Sequence, residues 1–341
     1  MAEMATLLSV EDLQVHLHTR AGTLKALDRV SLRVEAGQTL AIVGESGCGK
    51  SLTALAVMRL LPDPPARIVG GRIQLEGRDL AAASESDMLK VRGKDVSMIF
   101  QDPMTSLNPV LSIGTQLVEV LRAHTPLRGA QAWARAKDLL ELVSIPNAAA
   151  RLHEFPHRLS GGMNQRVMIA MAIACNPRVL IADEPTTALD VTIQAQILDL
   201  LRTLQKERGM GLVMITHDLG VVAETADRVV VMYAGRKVEE APVEALFAEP
   251  LHPYTQGLMG ATPSAHGARG GRLADIPGMV PPLSELPAGC AFAARCPKAM
   301  ARCRTERPEL TAVGSLREVA CFAAISTETV QGEVRESLVS A

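Results

Sequence analysis

The stretch GESGCGKS, residues 44–51, has the spacing G-x-x-x-x-G-K-S, which is typical of a loop that binds nucleotide phosphates. Its glycines allow tight turns that direct backbone N–H groups at phosphate oxygens. Lys50 can reach the β- and γ-phosphates, and Ser51 can bind Mg²⁺. The candidate nucleotide-binding residues are therefore Gly44, Glu45, Ser46, Gly47, Cys48, Gly49, Lys50 and Ser51.

Two further polar sites follow short apolar runs. The sequence RVLIADEP places Asp183 and Glu184 directly after one run, and ITHD places His217 after another. Asp183 can hold Mg²⁺, directly or through water, and Glu184 can polarise an attacking water molecule. Taken alone, an acidic pair at a strand end is usually a solvated turn, and a histidine there is usually structural.

Apolar runs indicate the strands that must position these residues. Helical patterns lie between them, at residues 53–61, 129–143 and 192–208, and this alternation is typical of an α/β fold with a parallel sheet. Because the carboxyl ends of parallel strands line one crevice, the phosphate loop, Asp183, Glu184 and His217 together predict an ATPase or GTPase site. The predicted strands are TLAIV (39–43), VSMIF (96–100), RVLIA (178–182), GLVMIT (211–216) and a hairpin of DRVVVMYAG and RKVEEA (227–241).

A second glycine motif, LSGGMNQR at residues 159–166, precedes a helical pattern. Ser160 can cap that helix, and Gly161 and Gly162 leave its first turn open to an anion. An ordinary capped helix is the simpler interpretation. One nucleotide has little use for two phosphate cradles in one chain, however, whereas two chains arranged head to tail would use both.

With these motifs, about the first 250 residues resemble the ATPase subunit of an ABC transporter. Residues 44–51 resemble the Walker A motif, residues 180–184 Walker B, and LSGGMNQR the signature motif. Gln101 in FQDP resembles the Q-loop glutamine, Asp190 in ALD the D-loop residue, and His217 the switch histidine.

This resemblance implies an α/β P-loop NTPase fold with a RecA-like core, an antiparallel β part and a helical subdomain at about residues 102–164. It implies a dimer in which Ser160, Gly161 and Gly162 of one subunit contact the ATP bound by the other. It also implies roles at the hydrolysis site, with Glu184, His217 and Gln101 as the catalytic set and Ser51, Gln101 and Asp183 as the Mg²⁺ site.

The adenine contact departs from the family pattern. Such proteins usually carry an aromatic residue that stacks on adenine, but the corresponding stretch HLHTRAGT, residues 16–23, contains no Phe, Tyr or Trp. His18 and Arg20 are the candidates that remain there.

Three longer stretches resemble the ATPase subunits of dipeptide and oligopeptide importers: MIFQDPMTSLNPVLSIGTQ, the signature region and HPYTQGLMGATPS. The resemblance implies peptide import at the cytoplasmic face of the membrane, with a second, related ATPase subunit, two membrane permease subunits and an extracytoplasmic solute-binding protein. Nickel, glutathione or another small solute are alternative cargoes. An ABC ATPase without a transport role is a more distant alternative, since the coiled-coil insertion or second cassette of such proteins is not seen here.

Composition argues against two other classes of protein. The net charge of −2 does not favour nucleic-acid binding. The longest apolar run, residues 167–175, is far shorter than the roughly 20 residues of a membrane span, and no signal peptide is recognisable, so we expect a cytoplasmic, peripheral protein. We expect a nucleotide-binding domain at residues 1–250, a small C-terminal domain at 251–325 and a disordered tail at 326–341.

Four cysteines mark the C-terminal segment. Cys290, Cys296, Cys303 and Cys321 have the spacing C-x5-C-x6-C-x17-C. Disulfides would require an oxidising compartment, and zinc sites usually show a C-x2-4-C pair. Four thiolates can also hold a [4Fe–4S] cluster, as the resemblance to the peptide importers implies. We therefore expect an iron–sulfur site, with zinc or free thiols as alternatives.

Overall fold

A computed structural model of the chain describes residues 5–20, 22–186, 189–261, 276–314 and 316–325. The strands are β1 (Thr6–Thr19), β2 (Gly22–Glu35), β3 (Thr39–Val43), β4 (Ala66–Leu75), β5 (Arg78–Asp79), β6 (Val96–Ile99), β7 (Val179–Asp183), β8 (Gly211–Ile215), β9 (Arg228–Tyr233), β10 (Arg236–Pro242), β11 (Thr311–Ala312) and β12 (Glu318–Val319). The helices are α1 (Lys50–Val57), α2 (Glu85–Val91), α3 (Pro103–Ser106), α4 (Ile113–His124), α5 (Gly129–Leu142), α6 (Ala148–Arg151), α7 (Gly161–Ile173), α8 (Val191–Arg208), α9 (Leu219–Thr225), α10 (Val243–Ala248), α11 (Pro253–Gly260) and α12 (Arg302–Thr305).

The larger sheet has the strand order β11-β12-β10-β9-β3-β8-β7-β6. Its five strands from β9 to β6 run parallel, and β10, β12 and β11 add to one edge in antiparallel fashion. Every residue of β3, β7 and β8 is buried, as expected for parallel strands that are covered on both faces. The predicted α/β fold is confirmed, and the predicted strands lie within one or two residues of the observed ones.

The smaller sheet is antiparallel, with the order β2-β1-β4-β5. Strands β1 and β2 alternate between buried and more exposed positions along part of their length, which is typical of a sheet with one face in the core. Its buried face packs with α1 and one side of the larger sheet in a single apolar cluster, which includes Ile181 and Val213. This sheet corresponds to the antiparallel β part that the family resemblance implies.

The opposite side of the larger sheet carries a helical layer. Alternation along β7 and β8 turns Leu180 and Leu212 to this side, where they share a core with α4, α5 and α7. The helices between β6 and β7 therefore pack directly against the strands whose ends carry Glu184 and His217. The exact bounds of the helical subdomain, 102–164, stay a prediction.

The segment after residue 250 continues the same fold. Strand β12 pairs with β10 through Val319 and Glu239. A further core cluster joins Val43 of β3 to Tyr254 and Phe292. The domain boundary near residue 250 stays a prediction, and the predicted disordered tail, 326–341, lies outside the described residues. No helix in the part of the chain that the structure describes is long and apolar enough to cross a membrane.

Candidate nucleotide-binding and hydrolysis site

The parallel register brings the predicted chemical groups to one edge of the larger sheet. Ile42 of β3 pairs with Ile215 of β8, Ile215 pairs with Asp183 of β7, and Ala182 of β7 pairs with Ile99 of β6. The four strands therefore end side by side. Each end carries one predicted feature: the phosphate loop after β3, His217 after β8, Glu184 after β7 and Gln101 after β6.

The phosphate loop has a backbone shape that requires glycine at two points. Gly44 has a φ of 150°, and a Cβ there would lie 2.3 Å from the Met232 carbonyl oxygen. Gly49 has a φ of 104°, and its Cβ would lie 2.7 Å from Leu27 Cδ2. Because both positions have a positive φ and crowded surroundings, a side chain would distort the loop.

Lys50 begins α1, and its side chain folds back over the loop. Its Nζ donates hydrogen bonds to the Gly44 carbonyl at 2.8 Å and to the Glu45 carbonyl at 3.1 Å. The side chain is almost fully buried, so the ammonium is held against the backbone of the loop. Neighbouring Cys48 is fully buried, and burial raises the pKa of its thiol, which keeps it protonated and apolar in character.

Asp183 and Ser51 fit a Mg²⁺ ion. Burial raises the pKa of Asp183, and a hydrogen bond from the Ser51 side chain partly offsets this rise. The Asp183 Oδ1 atom is buried without a hydrogen-bond partner within the described chain. A buried acceptor is costly unless a donor or cation satisfies it, and hydroxyl and carboxylate oxygens are the ligands that Mg²⁺ prefers.

Glu184 connects two other predicted site residues, Gln101 and His217. Its Oε2 accepts a hydrogen bond from Gln101 Nε2 at 3.2 Å, and its Oε1 lies 3.3 Å from His217 Nδ1. Glu184 has a φ of 48°, in the left-handed region that non-glycine residues rarely adopt. A strained backbone at a polar cluster is typical of a functional position.

The signature residues lie at the start of α7. Ser160 caps this helix, since its Oγ accepts a hydrogen bond from the Met163 N–H at 3.3 Å, as predicted. Ser160 and Gly161 are exposed. They take no part in the hydrogen bonds that join Gln101, Glu184 and His217 in the described structure.

Two other predicted features are placed only in part. Asp190 caps α8, where its Oδ1 accepts a hydrogen bond from the Ile193 N–H at 3.1 Å, whereas residue 188 of the same motif lies outside the described residues. Of the two candidates for the adenine contact, His18 has its Nδ1 3.2 Å from the Thr23 hydroxyl, and Arg20 is exposed.

Sequence reasoning missed a set of contacts that the C-terminal segment makes with the phosphate loop. The Glu45 N–H donates to Tyr254 Oη at 2.7 Å, and the Glu45 carboxylate accepts two hydrogen bonds from Arg295. No local pattern in the sequence signals these contacts, because Glu45 and Arg295 are 250 positions apart.

The four C-terminal cysteines line one small cavity of about 20 Å³, which is room for about one water molecule. In the metal-free chain, burial raises the pKa of Cys290, Cys296 and Cys321 and so favours the neutral thiols. The chemistry of the four donors suits a metal, but across the described residues no three or more Cys, His, Asp or Glu side chains are arranged to hold one.

Fold and site together define the class of protein. The family model described as "ABC transporter" matches residues 27–187, and the model "Oligopeptide/dipeptide transporter, C-terminal region" matches residues 238–303. A solved dimeric, post-hydrolysis structure of the ATP-binding cassette MJ0796 with ADP and Pi has a TM-score of 0.64 and 26% identity to this chain. That similarity covers 70% of this chain and 99% of the other.

Two relatives that match over nearly their whole length narrow the assignment to a family. The oligopeptide transport ATP-binding protein AppD of Bacillus subtilis is 51% identical over 319 residues, which cover 94% of this chain and 97% of the relative. A probable peptide ABC transporter ATP-binding protein, y4tR, of Sinorhizobium fredii is 52% identical over 316 residues, with 93% and 94% coverage. The chain belongs to the ABC transporter ATP-binding proteins and is an ATPase of that family.

Proposed function

We propose that this chain hydrolyses ATP to power import of dipeptides and oligopeptides through a multi-subunit ABC transporter. The match of residues 238–303 to the oligopeptide/dipeptide transporter C-terminal region carries this proposal. The names of the relatives, which concern oligopeptide and peptide transport, support the same cargo. Nickel, glutathione or another small solute remain the alternative cargoes.

The hydrolysis mechanism that we propose assigns one role to each group. Lys50 and the amides of the phosphate loop bind the phosphates. Glu184 accepts a proton from the attacking water, while Gln101 and His217 orient its carboxylate. Ser51, Asp183 and Gln101 would hold Mg²⁺, which neutralises charge on the phosphate oxygens.

The proposed assembly has separate subunits. Ser160, Gly161 and Gly162 would contact the ATP of a second, related ATPase subunit. The exposure of Ser160 and Gly161 at the start of α7, where backbone N–H groups can bind an anion, supports this contact. Two membrane permease subunits would bind the helical subdomain at the cytoplasmic face of the membrane. An extracytoplasmic solute-binding protein would deliver the cargo.

For the cysteines we propose a [4Fe–4S] cluster on Cys290, Cys296, Cys303 and Cys321, with zinc or free thiols as alternatives. Their shared cavity supports a common site, whereas the lack of a ligand arrangement among the described residues weighs against it. Iron, acid-labile sulfide and zinc measured in anaerobically purified protein would separate the three cases. Protein that contains no iron, no acid-labile sulfide and no zinc would leave only free thiols.

Uptake of labelled dipeptides and oligopeptides tests the main proposal. Cells that lack the gene are compared with cells that carry it, and with cells that carry Lys50→Ala. We expect uptake to fall without the gene and to return only with the unchanged version. If peptide uptake is unaffected while nickel or glutathione uptake falls, the ATPase assignment stands and the cargo is wrong.

A further inference from the structure

Glu45, the second residue of the phosphate loop, is bound at both its backbone and its side chain by the C-terminal segment. Its N–H donates to Tyr254 Oη at 2.7 Å. Its two carboxylate oxygens accept hydrogen bonds from Arg295 Nη1 at 2.6 Å and Nη2 at 2.9 Å. Such a bidentate, charge-assisted pair between arginine and a carboxylate is among the strongest side-chain hydrogen bonds, and it fixes orientation as well as distance.

The Arg295 side chain uses all five of its N–H donors. Besides Glu45, it donates from Nε to the Pro277 carbonyl at 2.9 Å, from Nη1 to Tyr233 Oη at 3.4 Å and from Nη2 to the Ile276 carbonyl at 3.3 Å. Only 5% of the side chain is exposed. A single guanidinium thus joins the phosphate loop, the central sheet and the C-terminal segment, and a lysine with three donors at one point could not.

The two C-terminal contacts have rigid supports. Arg295 ends the 3-10 turn Ala293–Arg295 and directly precedes Cys296. Tyr254 packs edge-on against Tyr233, with ring centroids 4.7 Å apart, and against Phe292 at 5.4 Å. Both rings of Tyr233 and Tyr254 are almost completely buried, so neither hydroxyl can move without moving the core.

Glu45 in turn positions the group that binds phosphate, since its carbonyl accepts a hydrogen bond from Lys50 Nζ. We propose that Arg295 and Tyr254 are positioning residues that hold the phosphate loop in its nucleotide-binding shape, so that the affinity for ATP depends on the C-terminal segment. The inference rests on ATP binding by this chain and is independent of the transported cargo.

A purely structural role is the competing explanation. In that case the contacts would only anchor the C-terminal segment to the core, and their loss would lower stability without changing the affinity of folded protein for ATP. The two explanations therefore differ in a binding measurement made on folded protein.

The experiment measures the Kd for ATP and the melting temperature of the purified full-length chain and its variants. We expect Arg295→Met to raise the Kd about tenfold, within the range that is typical of coupling between two sites. We expect Arg295→Lys to restore little of the affinity. Tyr254→Phe, which keeps the ring and removes only the hydroxyl, should raise the Kd by about three- to tenfold.

The matched control is Arg302→Met. Arg302 also directly precedes a cysteine of the C-terminal segment, but it is about half exposed and pairs with Glu306 at 3.1 Å rather than with the phosphate loop. Its replacement should leave the Kd unchanged.

A double-mutant cycle completes the test. Because Arg295 acts through Glu45, the Glu45→Gln and Arg295→Met effects on the Kd should not add in the double variant. The proposal is wrong if folded Arg295→Met and Tyr254→Phe both bind ATP as the unchanged protein does, or if the two effects in the cycle are additive. If Arg295→Met does not fold, Tyr254→Phe alone decides.

Discussion

At the scale of single residues, the Glu184 carboxylate has one oxygen against Gln101 and the other near His217. Glu184→Gln keeps the shape of the side chain and removes its basicity. We expect ATP binding to persist and hydrolysis to fall by about 100- to 10,000-fold, which is the usual contribution of a general base. Phosphate release and ATP binding, measured on the same preparation of the assembled ATPase pair, check this.

Glu76→Gln is the control for that substitution. Glu76 is an exposed carboxylate that pairs with Arg178 at 2.8 Å, so the same chemical change there should leave hydrolysis unaltered. Turnover in Glu184→Gln that matched the unchanged protein would remove Glu184 from the role of base.

The phosphate loop offers a second comparison, between Gly44 and Gly47. Both have positive φ, but a Cβ at Gly47 meets nothing within 4 Å, whereas one at Gly44 meets the Met232 carbonyl oxygen. Gly47→Ala should lower the free energy of unfolding by about 1 kcal/mol from backbone strain alone. Gly44→Ala should cost about 1–3 kcal/mol more because the main chain must also move. Urea unfolding of both variants tests the order, and equal losses would contradict it.

Each site residue that was predicted from the sequence belongs to a short local motif. The phosphate loop, Asp183, Glu184 and His217 each follow an apolar run, so chain order and strand ends sufficed to group them. The bond between Glu45 and Arg295 has no such signature. It depends on how the C-terminal segment packs, and a spacing of 250 residues leaves no periodic trace.

At the scale of elements, the start of α7 combines a structural and a functional role in Ser160. Ser160→Ala removes the cap bond to Met163, which should cost about 1 kcal/mol of stability. If the signature residues contact the partner's ATP, the same change should also lower ATP hydrolysis by the assembled ATPase pair.

Ser112→Ala separates these two effects. Ser112 caps α4 with a bond of 3.2 Å from the Thr115 N–H, so its loss should cost a similar amount of stability. The ATP hydrolysis rate of the Ser112→Ala variant should stay normal, however. Melting temperature and phosphate release, measured for both variants, make the comparison. Equal hydrolysis rates in the two variants would assign Ser160 a capping role alone.

The strands of the parallel sheet were predicted because each is a nearly continuous apolar run, whereas β1, β2 and β4, which alternate between buried and more exposed positions, were not. Strand β3 was predicted with its observed bounds, because all five residues are buried and the four after Thr39 are apolar. Strands β11 and β12 have two residues each, too few for any pattern. Strand β12 forms along the free edge of β10, and β11 in turn pairs with β12. Helix α1 begins at Lys50, earlier than its apolar pattern, because the phosphate loop leads directly into its first turn.

At the scale of the whole molecule, the C-terminal segment completes the sheet edge and one of the cores. Leu251 and His252 begin this segment, and their N–H groups donate to the two carboxylate oxygens of buried Glu239 at 2.8 and 2.9 Å. Tyr254 and Phe292 then pack against Tyr233 of β9. The junction between the two parts of the chain is thus buried and polar at once, which makes it sensitive to protonation.

His252 provides the means to measure that sensitivity. It is completely buried, and burial lowers its pKa to about 4, below the value of about 6.5 expected for the unfolded chain. Its Nδ1 accepts the Tyr254 N–H at 3.0 Å, so the folded protein holds the neutral ring. Between these two pKa values the unfolded chain binds a proton that the folded chain does not. The free energy of unfolding should therefore fall by about 2 kcal/mol between pH 7.5 and pH 5 because of this one group.

The control must exclude Glu239, because burial raises its pKa and its protonation in the folded state acts in the opposite direction. His252→Asn keeps an acceptor for the Tyr254 N–H, since asparagine is a favoured cap, but does not titrate. Urea unfolding of both proteins at pH 7.5 and pH 5 gives the comparison. We expect the loss of stability on acidification to be smaller by about 2 kcal/mol in His252→Asn. Equal losses in the two proteins would mean that another group, and not His252, causes the loss of stability at low pH.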